Sequence, residues 1–166
     1  MLSIIKRRDA LGLLAHSDNE ERYTRTRSEL MGSMKIAFGG MTAEEIFFGE
    51  SGTGPGGDLA HATRIAAQMV GSFGMAGTLL SYDAIESGPI NGGIVAKVLS
   101  DDEGRRSVER ILESAKSDVR NLLDHNRHLV VALRDALVAT EELVGDEIIE
   151  VLQQAQAEHE AAGATP

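Results

Sequence analysis

The sequence has no cysteine and no tryptophan, and only two tyrosines, four phenylalanines and three prolines in 166 residues. Without cysteine there is neither a disulfide framework nor thiolate chemistry. A reducing compartment is compatible with that and is not required by it. With aromatics so scarce, the core has to be packed by Leu, Ile, Val, Met and Ala. Cationic charge is also short: 16 Lys and Arg stand against 26 Asp and Glu, a net charge of −10. Binding nucleic acid needs the opposite balance, so this composition argues against it as a partner. The short cluster Lys6-Arg7-Arg8 does not alter that. No apolar run approaches the roughly 20 residues of a membrane span, and no signal-peptide pattern opens the chain, so a soluble chain is expected. What is there is a hydrophobic content of 42%, normal for a folded protein. The length fits one domain, or one domain with a small appendage.

The patterning predicts a mainly α fold. Leu2-Ser-Ile-Ile5 and Leu11-Gly-Leu-Leu14 suggest a small two-stranded element, followed by a polar loop from Ser17 to Arg22. Ser28 caps a helix through Phe38, with Leu30, Met31, Met34, Ile36 and Ala37 on its apolar face, and Gly39-Gly40 ends it. Thr42-Ala-Glu-Glu45 reads as a capping box opening a short helix through Phe48, with Gly49 as its stop. Residues 76–99 carry Gly77, Gly88, Pro89, Gly92 and Gly93, which predicts an irregular, flexible connector. Ser100-Asp-Asp-Glu103 is a second capping box. The long helix after it has Val108, Ile111, Leu112, Ala115, Val119, Leu122 and Leu123 on one stripe. His125-Asn126 breaks it, Leu129 to Leu137 form the next helix, and Asp146 caps a last one. After Gln156 a frayed Ala, Glu and Gly tail is expected. The organisation is thus a subdomain over 1–75, the connector over 76–99, C-terminal helices over 100–156 as a hairpin or bundle, and a tail over 157–166.

The most distinctive stretch is Ser51-Gly-Thr-Gly-Pro-Gly-Gly-Asp58. Five of its first seven residues are Gly or Pro, so the backbone can turn where side chains would clash. It delivers Asp58 to the start of a helix whose apolar face is Ile65, Ala66, Met69, Val70 and Phe73, closed by Gly74. As an N-cap, Asp58 would satisfy orphan N–H groups. As a metal ligand it would be a carboxylate held by a loop that cannot wander. A phosphate cradle needs a Lys after the last glycine, and the acid here would repel phosphate. His61 lies three residues on, on the same helix face. It is either a solvent-facing side chain or a second donor. His125-Asn-Arg-His128 has i, i+3 spacing but sits at a helix junction. His16 and His159, in a loop and in the tail, are given no role. Of Glu44 and Glu45, one caps and the other is solvated or paired with a cation. No His-Glu-x-x-His occurs anywhere, so two imidazole ligands and a general base on one helix face are lacking.

Taken in order, these short motifs resemble the peptidase domain of FtsH-type ATP-dependent zinc metalloproteases, and the likeness covers nearly the whole chain. Leu2-Ser-Ile-Ile5 is similar to the strand after that family's His-Glu-x-x-His helix, and Ala10-Leu-Gly-Leu13 to its Ala-Leu-Gly-Tyr step. Glu21-Arg-Tyr23 with Ser28-Glu-Leu30 resembles the approach to the next helix. Gly39-Gly40, Ala43-Glu-Glu-Ile46 and Phe48-Gly-Glu50 are similar to Gly-Gly-Arg-Ala-Ala-Glu-Glu-Leu-x-Phe-Gly. The strongest part is Thr53-Gly54, Asp58-Leu59 and Ala62-Thr63, continuing to Met69-Val70 and Phe73-Gly-Met75. Asn126-Arg127, Glu141-Glu-Leu and Asp146-Glu-Ile148 resemble the closing helices. Gly57 and Pro55 depart from the family, which has Asn before the ligand Asp and favours a small residue at the proline.

The resemblance implies that Asp58 is the third zinc ligand, completing two His from a His-Glu-x-x-His helix whose Glu is the general base. It implies protein substrates and a hexamer in which an ATPase ring feeds unfolded or membrane proteins to the peptidase. Such a protease works on the cytoplasmic side of a membrane, held by an anchor this chain does not contain. There is no Walker A motif, so ATP would act only through an ATPase domain upstream, and the His ligands would lie upstream of Met1 as well. The expectation is a C-terminal portion of such a protease, or a natural remnant that has lost the catalytic helix. On either account the isolated chain is expected to be inactive, with no catalytic residue of its own and no stoichiometric zinc. The alternative is an inert helical interaction or oligomerisation module.

Overall fold

The computed structural model describes residues 1–6, 12–14, 24–84 and 93–163. The loop expected at Ser17–Arg22 lies outside the described residues, as does His16. The fold is mainly α, as the patterning predicts. The elements in order are β1 (Leu2–Ser3), β2 (Leu13–Leu14), α1 (Arg27–Phe48), α2 (Gly56–Gly71), a single 3-10 turn (Tyr82–Ala84), α3 (Ile94–Ser100), α4 (Asp102–His125), α5 (Arg127–Thr140), β3 (Glu142–Leu143) and α6 (Asp146–Gly163). They form two compact units, Tyr23–Leu122 and Met1–Arg22 with Leu123–Pro166.

In the unit that joins the two chain ends, the expected two-stranded element has a third member. β1 pairs antiparallel with β2 (Leu2 opposite Leu14) and on its other edge with β3 (Leu2 opposite Leu143). Ile4 N–H extends this edge by donating to the Glu141 carbonyl at 2.9 Å. A lone hairpin of two-residue strands would be marginal in water. Here Leu143 is buried and gives the sheet an apolar anchor, and Ser3 is buried with it. The helices α5 and α6 pack on each other, and α4 ends at His125, where His125-Asn126 was expected to break it. Asp146 is the first residue of α6 rather than its cap. Glu147, the second residue of the helix, reaches back to the preceding turn, its carboxylate accepting the Val144 N–H at 2.7 Å. The helix runs on to Gly163 instead of fraying after Gln156.

The other unit is built on α1, and three local expectations change there. The N-cap is Thr26, not Ser28. Its hydroxyl accepts from Glu29 N–H at 3.3 Å, while the Glu29 carboxylate accepts the Thr26 N–H at 2.7 Å, closing a reciprocal capping box. Gly39-Gly40 does not end the helix, and no second helix opens at Thr42. α1 runs unbroken for 22 residues and stops at Gly49, which is left-handed at φ 83°. Two interior glycines cost about 1 kcal/mol each relative to alanine. Phe38 and Thr42, on either side of them, are buried with Leu30, Met34 and Ala37 along one face, and that burial carries the helix across the weak point.

α2 packs on α1 and α3 through Ala62, Ile65, Ala66, Ala67, Met69, Val70 and Gly71, all buried. Phe73, expected on this face, is 49% exposed beyond the helix end. The helix ends at Gly71, and Gly74 turns the chain three residues later at φ 64°. A methyl group on Gly71 would overlap the Val98 and Ile94 side chains of α3. α3 itself occupies part of the stretch expected to be irregular.

Asp101, not Ser100, caps α4. Its carboxylate accepts from Gly104 N–H and from the Tyr82 hydroxyl, both at 2.7 Å. The Tyr82 bond, then the Gly104 N–H, hold the Asp101 pKa below its ordinary value, and the same contact raises that of Tyr82. Val108, Ile111, Ala115 and Val119 of α4 are buried as the stripe predicts, while Leu122 is 60% exposed. Between α1 and α4, Glu45 bridges Lys116 at 2.6 Å and Arg120 at 2.8 Å, and Lys35 pairs with Asp118 at 2.8 Å.

Two outcomes test this packing. Gly71→Ala should destabilise the chain by about 1–3 kcal/mol, the usual cost of overpacking, read by chemical denaturation; a neutral result would mean α3 yields freely. The hydrogen bond from Lys116, helped by Arg120, lowers the Glu45 pKa below its ordinary 4.5. A depressed carboxylate stabilises above its unfolded pKa and loses that contribution as pH falls through its folded value. Glu45→Gln should therefore cost about 0.5–1 kcal/mol at neutral pH and nothing once the wild-type carboxylate is protonated. An equal cost at both pH values in urea titrations would remove the electrostatic account.

Candidate metal-ligand loop

The route from α1 to α2 is short and pinned at several points. Gly49 turns the chain out of α1 in the left-handed region, its N–H returning to the Glu45 carbonyl at 3.1 Å. Three residues on, Gly52 N–H donates to the Glu44 carboxylate at 2.6 Å. Gly56 N–H closes a turn onto the Thr53 carbonyl at 3.3 Å, and Pro55 is buried beneath it. The Pro55 carbonyl then accepts from Leu59 N–H at 2.9 Å as the first rung of α2.

Asp58 is the third residue of α2, so it is not the N-cap. Pro55 holds that position without a side-chain cap. A negative charge in the first turn is favoured by the helix dipole. The Asp58 carboxylate is exposed and makes no hydrogen bond or ion pair among the described residues. The geometry therefore withholds the capping bond that the bland reading of this residue required. It leaves the carboxylate exposed and unspent, on a helix whose approach is pinned by Glu44.

His61 is exposed one turn further along α2. Asp58 and His61 are brought to one face, but no group of three or more His, Asp or Glu side chains assembles into a metal cage among the described residues. Zinc usually needs four donors, three of them from protein in a catalytic site. Asp58 alone supplies one oxygen donor, short of that number. His125 and His128 are not paired with each other. The His128 ring, in the first turn of α5, stacks on His159 of α6 at 4.0 Å and 14°, with Nε2 3.0 Å from Gln156 Oε1. His159, given no role from the sequence, is thus part of the α5–α6 contact. Neither Glu44 nor Glu45 caps a helix: Glu45 takes the expected cation partners, and Glu44 clamps the loop. That clamp was not read from the sequence. The available signal was an acid on the last turns of a helix, eight residues before an unprotected glycine N–H.

The model of peptidase family M41 matches residues 1–151. Among curated proteins, the chain is 33% identical over 156 residues to an ATP-dependent zinc metalloprotease FtsH 4 of Synechocystis, covering 89% of this chain and 25% of that protein. It is 37% identical over 146 residues to FtsH 3 of Conexibacter woesei, covering 83% of this chain and 18% of that protein. With FtsH of Akkermansia muciniphila the identity is 31% over 179 residues, covering 99% and 21% respectively. The chain spans a quarter or less of the length of these relatives.

The clamp makes a local prediction. Glu44→Ala should raise hydrogen exchange at the Gly52 amide by about tenfold, equivalent to one net hydrogen bond, with α1 left intact. Glu44→Gln, which keeps an acceptor, should restore part of the protection. Unchanged exchange at Gly52 in the alanine variant would mean that the loop holds itself.

Proposed function

The chain belongs to peptidase family M41, and from that premise we propose that it is part of the proteolytic domain of an ATP-dependent zinc metalloendopeptidase, with Asp58 as one ligand of the zinc. The observation that supports this most is the presentation of Asp58. Its carboxylate has no partner among the described residues, yet its helix is fixed by a buried face and its loop by the Glu44 clamp. A ligand needs that combination, because an acid spent on a cap has less capacity left for a metal, and one on a loose loop would not hold a geometry. When bound, zinc would polarise a water and the scissile carbonyl.

In this proposal the chain's own residues position rather than react. Asp58 offers an anionic oxygen, Glu44 and Gly52 hold the approach to it, and the close contact of α2 with α3 fixes the axis along which it points. The two imidazoles and the general base come from outside the chain, so the isolated chain is inactive. The substrates are unfolded or membrane proteins, delivered by an ATPase domain within a hexamer, on the cytoplasmic side of a membrane. No described helix is long and apolar enough to cross a membrane.

Asp58→Asn, placed in the full-length protease that carries this segment, decides between ligand and helix-end charge. Loss of a ligand should cost at least the roughly hundredfold that even outer-shell partners can cost. Casein degradation should therefore fall by two orders of magnitude or more, while ATP hydrolysis stays within about twofold. Casein degradation at the wild-type rate would reduce Asp58 to a charge on a helix end and favour an inert interaction module.

A further inference from the structure

The unit Tyr23–Leu122 holds an open cleft of about 450 Å³, where the start of α1, the turn at 75–77 and the middle of α4 meet. The polar side chains that line it can all donate hydrogen bonds. Arg27 and Arg110 supply guanidinium groups, Ser107 and Ser114 supply hydroxyls, and no carboxylate side chain lines the cleft. In a chain with 26 acids against 16 bases, that is a local reversal of sign.

Most of these donors are not spent on the fold. Arg27 uses only Nε, which donates to the Met75 carbonyl at 3.2 Å, and its terminal amino groups have no partner among the described residues. Arg110 uses only Nη2, which donates to the Ser107 hydroxyl at 2.8 Å and to Glu103 at 3.3 Å. Its Nε and Nη1 have no partner among the described residues. Glu103 lies closer to Arg106, at 3.0 Å, so only part of its charge is set against Arg110. Because the Ser107 oxygen accepts from Arg110, its own O–H is left to donate. Ser114 is exposed, and its hydroxyl makes no hydrogen bond among the described residues. Unspent donors therefore reach the cleft from both α1 and α4.

We propose that this cleft binds a small phosphate monoester whose ester group is apolar. A carboxylate is planar, and one guanidinium fork satisfies it. A phosphate monoester carries about −1.5 to −2 charge at neutral pH and presents three strong acceptor oxygens. That set of acceptors matches two guanidinium groups and two hydroxyls, whereas a carboxylate would leave the hydroxyls unmatched. The remaining oxygen, in the ester bond, leads away from the donors to whatever group it carries. Met31 and Met75 line the same cleft and give that group an apolar surface. Thioether side chains adapt to aliphatic and aromatic shapes alike, so the cleft selects the phosphate and tolerates variety in the ester group. The volume suits a small molecule. The inference requires neither Asp58 nor zinc: a chain with no part in proteolysis would bind the same ester.

The test is an NMR titration of the isotope-labelled 166-residue chain with phenyl phosphate near neutral pH. The expected result is saturable shifts at the Ala76, Gly77, Ser107 and Ile111 amides. Benzoate keeps the ring and a planar anion and should bind at least about tenfold more weakly, as should inorganic phosphate, which lacks the apolar group. A chain carrying Arg27→Gln and Arg110→Gln should also lose at least about tenfold. Ser114→Ala, an exposed change that suits a helix, should cost about fivefold, and it covers the case in which the double variant does not fold. Benzoate binding as tightly as phenyl phosphate would overturn the proposal, because a fork alone would then suffice. Inorganic phosphate equalling phenyl phosphate would overturn it too, as would shifts confined to other parts of the chain or none at millimolar ester. Vesicles of phosphatidylcholine containing phosphatidic acid separate a free ester from a lipid head group. The chain should stay in solution, and its sedimentation with those vesicles would overturn a small-molecule ligand.

Discussion

Gly71 has no side chain, and Val98 and Ile94 of α3 stand where a methyl group on it would be. This contact sets how deeply α2 lies between its neighbours. Ala62, Ala66 and Ala67 repeat the same economy one and two turns earlier, all at zero exposure. A helix approached on short side chains has little room to rock, because its neighbours' atoms meet its backbone rather than flexible chains. The first turn of α2 inherits that rigidity, and Asp58 stands on the first turn. The second constraint arrives from the other direction. Glu44, on α1, fixes the loop by a single charged hydrogen bond to a glycine N–H. A carboxylate can therefore be exposed and still be held in place.

How much of this could be read in the amino acids varies with the range of the forces. The stripe on α4 and the buried positions of α2 follow from helical periodicity, and the structure keeps nearly all of them. The errors at helix starts come from competition among close candidates. Thr26, Ser28 and Thr42 can all accept a backbone N–H, and Asp101 and Ser100 are adjacent. The choice falls on whichever residue completes a second bond: Thr26 with Glu29, Asp101 with Tyr82. The run through Gly39-Gly40 is a different case, in which burial of Phe38 and Thr42 outweighs an intrinsic preference worth about 2 kcal/mol over two glycines. The third strand was out of reach. Leu2 and Leu143 are too far apart in sequence for any local pattern to join them, and two residues are too few for a strand signal of their own.

The candidate site was half legible. A glycine-rich run ending in an acid and an amphipathic helix marks a carboxylate being placed, and the position of Asp58 in the first turn of α2 agrees with that reading. What it does there was not legible from local pattern, since capping and ligation ask for the same residue in nearly the same place. The structure removes the capping role by a shift of three residues. With Pro55 at the cap position, the Asp58 side chain lies too far into the helix to take the capping bond.

The histidines illustrate the opposite failure. His125 and His128 have the spacing of a ligand pair only if one helix continues through them, and the chain breaks at Asn126 between them. His128 instead meets His159, more than 30 residues away, through the packing of α5 on α6. Spacing within a sequence is informative about chemistry only where the backbone between the residues is known to be regular. The same condition explains why Asp58 and His61, on one unbroken helix, do share a face. It also explains why the carboxylates of this acidic chain divide by task. Glu44, Glu45, Asp101 and Glu147 are each taken up by an N–H, an O–H or a cation nearby. They stabilise loops, helix starts and a helix–helix contact. Asp58, placed by a helix with a closely packed face and bound by none of these groups, is left free to act on something other than its own fold.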